Sequence, residues 1–378
     1  MPKASNEQHL LSQFLRYVTT DSPSLREGRF AALVQTAMRQ TGISGMAASF
    51  DRPPKQLGGQ TGNLIARVPG AAPGPTLLLS AHLDTVMSNA GIKPRVSGGV
   101  VTAGGAPILG ADDKAAVACI VEALRVIHER KVLHPPLEIV FTFGEEIGLL
   151  GVRQLNLRSL RAKLGFVFDS NGPVGEIVAR APSHDRLRAT ITGVPAHAGA
   201  NPEAGVSAIQ IAARAIARMR LGRIDRLTTA NIGVIQGGRA TNIIPECVEL
   251  RGEARSHDPA RLSRQVQHMC ECLHQAATEL QGGIEVEVER QYESFHLTRS
   301  NQVVKLAMAA ARQAGVEPRL VASGGGSDAN ILNARGIASV VMAVGYHEPH
   351  SRNESIPVAE LSRLTNLIVA LVQLAAKR

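Results

Sequence analysis

From about residue 76 to 170 the chain alternates wholly apolar runs with stretches of helical period: TLLLSAHLD, KAAVACIVEALRVIHER, LEIVFTF and KLGFVFDS. Runs that are apolar at consecutive positions leave no face for water, so they predict strands buried on both sides, in a parallel or mixed sheet covered by helices. This region is predicted to be an α/β domain. Three of the runs end at HLD, FGEE and FDS. Their acidic and imidazole groups therefore fall at the carboxyl ends of strands, where open α/β sheets place their sites.

From about 184 to 295 the pattern changes. DRLRATITG alternates like a half-buried strand, and NPEAGVSAIQIAARAIARM predicts a helix with Asn201 as its cap and Pro202 at its first position. TTANIGVIQ, CVELRGEARS, the helical PARLSRQVQHMCECLHQAATEL and GIEVEVERQY follow. In order this is β-α-β-β-α-β, the ferredoxin-like sandwich. Then come helical NQVVKLAMAAARQAG, the buried strand IASVVMAVG and the amphipathic VAELSRLTNLIVALVQLAAK. The expected organisation is a discontinuous catalytic domain (1–183 and 296–378) interrupted by an inserted domain (184–295). A chain of 378 residues suits two such units.

Composition narrows the function. Hydrophobic residues at 44% and charged residues at 19% describe a globular protein. The net charge of +9 is scattered among acids and small apolar residues rather than gathered in runs, so no nucleic-acid surface is expected. Cys119, Cys247, Cys270 and Cys272 form no CxxC pair and read as reduced thiols. The opening MPKASNEQHLLSQFLRYV lacks the apolar core and cleavage site of a signal peptide. No apolar run reaches the roughly 20 residues that span a bilayer. The expectation is a cytoplasmic enzyme that does not engage membranes.

Five motifs carry the chemistry: SAHLDTV, GADDK, FGEEIG, FVFDS and YHEPHSRNE. Their imidazoles and carboxylates are the donor set that suits a pair of zinc ions or similar divalent metals. In SAHLDTV, His82 and Asp84 are two apart on a strand end and face the same way, as a metal-bound imidazole and the carboxylate that steers it would. A satisfied polar pair is the plainer explanation for that triplet alone. GADDK sets two acids at the start of a helix, where exposed amides favour negative charge. That suffices for Asp113, whereas Asp112 is better read as a carboxylate shared between two metals. FGEEIG puts Glu145 and Glu146 side by side after an apolar strand; one could ligate while the other takes a proton from water. Asp169 ends a continuous apolar strand, a costly place for a carboxylate that is neither paired nor metal-bound. The last motif offers His347 and His350, between which spacing does not choose. His197, in GVPAHAG, reads on its own as a surface-loop histidine.

With these motifs in this order the chain resembles the di-zinc metallopeptidase family that contains peptidase T, glutamate carboxypeptidases, aminoacylases and succinyl-diaminopimelate desuccinylases. The likeness runs from about residue 8 to 375. It implies one zinc on His82, Asp112 and Asp169, and another on Asp112, Glu146 and His350; HSRNE, a histidine followed four residues on by glutamate, selects His350 over His347. It implies Glu145 as general base, Asp84 as the residue orienting the histidine ligand, and a cis peptide between Asp112 and Asp113. In the inserted domain HAG–NPEAG, GGRATNIIP and GEARS resemble a lid that dimerises. The resemblance gives His197 the task of stabilising an oxyanion in the partner's site, assigns Asn242 and Arg255 to substrate, and makes GGGSDAN, with Gly325, a substrate-side loop. Aspartate rather than glutamate at 169 points to the peptidase T side, hence to an aminopeptidase acting on short peptides. Deacylation of N-acyl amino acids, carboxypeptidase activity and a non-catalytic binding protein are the alternatives. Cobalt and manganese accept the same ligands as zinc.

Overall fold

The computed structural model describes residues 6–105 and 107–376, which fall into two compact units. The first runs to Ala179 and takes in His296–Ala322 and the chain from Ser327; the second is Arg180–Phe295 with Ser323–Gly326. The sequence reading sets the inserted domain at 184–295; residues 180–183 and Ser323–Gly326 differ from it, both falling in the second unit. Contacts explain the transfer: Ser323 donates its amide to the Arg180 carbonyl at 2.9 Å, and Gly326 lies so close to the Tyr292 ring that a Cβ would sit 2.3 Å from it.

At the centre of the first unit the strands Leu137–Thr142, Leu77–His82, Leu164–Ser170 and Ala338–Ala343 lie side by side and parallel. Leu64–Val68 and Ala47–Phe50 extend the sheet antiparallel on one side. Leu77–His82 and Leu137–Thr142 are buried at every position, as their unbroken apolar runs require. Helix Ala111–Glu129 is sunk almost completely, which its many alanines permit, while Gln302–Gln313 and Val358–Ala375 pack against the same core. Val358–Ala375 is long and apolar enough to cross a membrane, but 72% of it is buried inside the fold, as in a core helix. Because the four central strands are parallel, their carboxyl ends, and the motifs that follow them, open on one edge of the sheet.

The second unit is an antiparallel sheet in the order Gly222–Arg223, Thr228–Gly237, Cys247–Ser256, Ser183–Thr192, Gly283–Tyr292. Helices Ala208–Arg218 and Pro259–Glu279 cover its apolar face, completing the ferredoxin-like sandwich. One boundary differs from the sequence reading. Pro202–Ala204 is only a short 3-10 turn, and Asn201 caps nothing; the α-helix starts at Ala208 with Ser207 as its cap. Val206 is occupied in a two-way backbone bridge with Val194 (2.9 Å each way), so helical bonding cannot begin before Ser207.

Candidate metal centre

The registers His82↔Thr142, Ser80↔Val167 and Met342↔Phe168 bring the ends of the four parallel strands level. His82 closes its strand, Asp169 sits near the end of the next, and the FGEE turn follows Thr142. Gly144 makes that turn possible: its φ of +57° is open to glycine and costly for most other residues. Asp112 precedes the regular part of its helix, with φ −78° and ψ 102°, and the Asp112–Asp113 bond is cis. His350, with φ +62°, stands in a loop closed by the backbone of His347 and Ser355 (2.8 and 3.1 Å). The exposed His347 thus helps close the loop, and it is His350 whose ring reaches the acids.

The side chains converge in pairs. His82 Nε2 lies 3.1 Å from Asp112 Oδ1 and 3.8 Å from Asp169 Oδ1; His350 Nε2 lies 3.1 Å from Asp112 Oδ2 and 2.9 Å from Glu146 Oε1. The two oxygens of Asp112 are thus divided between two imidazoles. Ligand atoms of His82, Asp112 and Glu146 fall within 4.8 Å of one another, as do those of His82, Glu145 and Asp169. His82 Nδ1 is 2.9 Å from the Asp84 backbone carbonyl, which fixes the Nδ1–H tautomer in the neutral ring and turns the Nε2 lone pair toward the acids. The Asp84 carboxylate is farther from that ring, at 3.5 Å, and instead accepts the amides of Glu145 (3.0 Å) and Glu146 (3.2 Å) and the Ser24 hydroxyl (2.6 Å). Asp84 therefore steers the histidine with its carbonyl and holds the glutamate turn with its side chain.

Electrostatics test whether these residues suit cations. Burial, then Asp169, pushes Glu145 well above the ordinary carboxylate range; burial does the same to Asp169 and Asp113, with Asp112 adding to both. Asp112 is pushed upward by burial, but hydrogen bonds from His350 and His82 prevail and hold it low. Those bonds, to Asp112 and then Glu146, raise His350 to about 10. Each imidazole thus stands within hydrogen-bond distance of carboxylate oxygens, where a ring proton balances the acids and a cation between the same atoms would do so as well. Nitrogen and oxygen donors in this number suit divalent metal ions. The residues fit.

Several contributors were not singled out from the sequence. Asp113 is buried, and its Oδ2 accepts the His82 amide at 3.1 Å, so it braces the strand end rather than capping a helix. Buried Asp328 accepts the Thr142 hydroxyl at 2.7 Å and adds to the charge that raises Glu145 and Asp169. Buried Glu27 accepts the Gly144 amide at 3.0 Å. Their partners are distant in sequence, and only the SDAN acid carried a local signal.

The remaining candidates lie in the second unit. Ala198 donates to the Asn242 carbonyl (3.0 Å) and Ile244 to the Ala196 carbonyl (2.9 Å), so the loops carrying His197 and Asn242 are zipped together. His197 is exposed; its Nδ1 accepts the amides of Gly199 and Ala200 at 3.1 Å each, leaving Nε2 as donor. Arg255 is forked onto Glu253 (Nε 2.9 Å, Nη2 3.0 Å), and a Cβ on Gly325 would lie 3.8 Å from its Nη1. The free side of the guanidinium faces the glycine loop.

The chain is 41% identical over 372 residues to the uncharacterized protein YqjE of Bacillus subtilis strain 168, covering 98% of this chain and all of that one. Two solved structures are similar at 40% identity, each covering 99% of this chain and 100% of the other. They are aminopeptidase PepT from Bacillus cereus ATCC 10987, with a TM-score of 0.89, and a tripeptidase from Staphylococcus aureus Mu50, with a TM-score of 0.94. The profile of peptidase family M20/M25/M40 matches residues 78–374, from the His82 strand through the last helix, and the chain belongs to that family.

Proposed function

We propose that this metallopeptidase is an aminopeptidase that releases the N-terminal residue of short peptides, tripeptides among them, using two divalent ions, zinc in the first instance. The observation that carries the reading is the division of Asp112 between His82 and His350 at 3.1 Å each. One ion would be held by His82, Asp112 and Asp169, the other by Asp112, Glu146 and His350. Bound there, the pair supplies Lewis acidity and brings the pKa of water toward neutrality. The likeness to an aminopeptidase and a tripeptidase at 40% identity supports the substrate class.

Glu145 is the group left to move the proton. It stands beside Glu146 but outside the Asp112–His350 pairing, and its backbone is pinned by Asp84. It takes a proton from the attacking water and returns it to the departing amine. Protein donors stabilise the oxygen on which charge develops. His197, with Nε2–H free, is fitted to that task from a partner subunit. Asn242, Arg255 and the backbone at Gly325 receive the peptide, with Arg255 meeting its carboxylate.

Homodimerisation through the second unit is part of this reading. Among the described residues, strand Thr228–Gly237 is paired on its outer side at Thr228–Ala230 by residues 222–225, and exposes Val234 and Ile235 beyond them. An open apolar edge of this kind is a template for a second chain. Four free cysteines accord with a cytoplasmic location. The test is a panel of free-amine di- and tripeptides against N-acetyl and N-succinyl amino acids, with metal analysis of the same preparation. Hydrolysis of the free-amine peptides is expected; cleavage of the blocked set alone would overturn the assignment.

A further inference from the structure

Glu354 is 1% exposed, and its carboxylate accepts three backbone amides: Leu109 (2.8 Å) and Gly110 (2.8 Å) on Oε2, and Asp112 (2.9 Å) on Oε1. These amides form the turn that delivers Asp112. The other side of that turn is also held, since Asn89 Nδ2 donates to the Leu109 carbonyl at 3.2 Å. Gly110 has φ +75°, and a Cβ there would press on Thr85 and Asn89 at 3.1 and 3.2 Å. Glu354 itself belongs to the loop closed by His347 and Ser355, in which His350 stands four residues earlier. A closed circuit results: the Asp112 amide on Glu354, the loop from 354 back to 350, and the His350 ring 3.1 Å from Asp112 Oδ2.

We infer that Glu354 is a positioning residue that fixes the distance between Asp112 and His350 and so sets the affinity of the ion on the His350 side. This rests on the two-ion reading above. The other side of Asp112 is secured independently, because its neighbour Asp113 accepts the His82 amide at 3.1 Å and ties the turn to the strand. Removing the clamp should therefore weaken the two ion sites unequally. A carboxylate that merely capped the helix would contribute to folding and leave the two ions alike.

Metal-free wild type and Glu354→Gln are titrated with Co2+, following heat and visible absorption, and both metal-free proteins are unfolded thermally. Gln has one accepting oxygen, so it cannot hold amides on both sides of the fork. Wild type is expected to bind two ions, and Glu354→Gln to keep one and bind the other about 10- to 100-fold more weakly. In a His350→Ala background the same change should cost the remaining ion little, since the circuit is already cut. Equal affinity of both ions in Glu354→Gln, or equal weakening of both, overturns the inference while leaving the two-ion reading intact. Wild type that binds none overturns both. Should the variant not fold, hydrogen exchange on metal-free wild type decides: slow exchange at Leu109, Gly110 and Asp112 is expected, and fast exchange that only Co2+ suppresses contradicts the clamp.

Discussion

The acids gathered at the candidate metal centre of the first unit and those on the sheet and helices of the second are neutralised by different means. Arginines also pair acids such as Glu122 and Glu360 elsewhere in the first unit, and His184 joins Arg255 on Glu253 in the second. In the second unit Glu253 meets Arg255, Glu279 meets Arg218, and Asp185 meets Arg290. Arginine stays charged at any working pH, so each pair is complete within the chain. In the first unit Asp112, Glu146 and Asp169 stand where buried strands and a buried helix begin or end, and what faces them is His82 and His350. Imidazole is as ready to ligate as to carry charge. Crowded acids opposite imidazoles mark a place built for cations supplied from outside; acids opposite arginines mark a surface that needs none.

The contrast can be broken at four points. The largest effect is expected from Asp112→Ala, which removes the oxygen donors shared by both histidines: metal analysis should find both ions lost, and peptide hydrolysis with them. Next is Glu27, pushed to about 7 chiefly by burial and then by Asp84. A group whose folded pKa is raised stabilises below its unfolded value, near 4.5, and that contribution disappears as pH rises through about 7. Denaturation of chelated protein at pH 5 and pH 8 should show stability falling by at most about 3 kcal/mol from this group, and Glu27→Gln should flatten the slope. Third, Arg255→Ala should lower kcat/KM by about 10- to 100-fold for peptides with a free carboxylate, the worth of a charged hydrogen bond, and much less for their amides. Smallest is Arg218→Ala, which removes an exposed ion pair with Glu279 and should leave the unfolding temperature and metal content where they were.

Much of this centre was legible because strand burial and ligand position share one cause. An apolar run that stops at His82, Glu145 or Asp169 declares both a strand and the open end of a sheet. The ferredoxin-like insert was legible from the alternation of DRLRATITG, CVELRGEARS and GIEVEVERQY, whose outward positions are charged. What could not be read is what holds the candidate ligands. Glu354 and Glu27 act on backbone amides more than a hundred residues away; HSRNE points to Glu354 only as the companion of His350, and the sequence around Glu27 does not reveal the distant Gly144 amide that it accepts. The late start of the helix at Ala208 was hidden for a similar reason: NPEA has every local mark of a helix opening, and a long-range bridge from Val194 to Val206 overrides it. His350 was separated from His347 by resemblance alone, since the loop that turns only one ring inward is closed by backbone bonds.

The most direct test of the division of labour in the first unit is to measure metal content and tripeptide turnover on one preparation of Glu145→Ala. The expected result is two ions per chain, as in wild type, with turnover reduced by about a hundredfold or more, the scale of a lost general base. Turnover near that of wild type, with both ions in place, would contradict the assignment of Glu145 as the proton carrier.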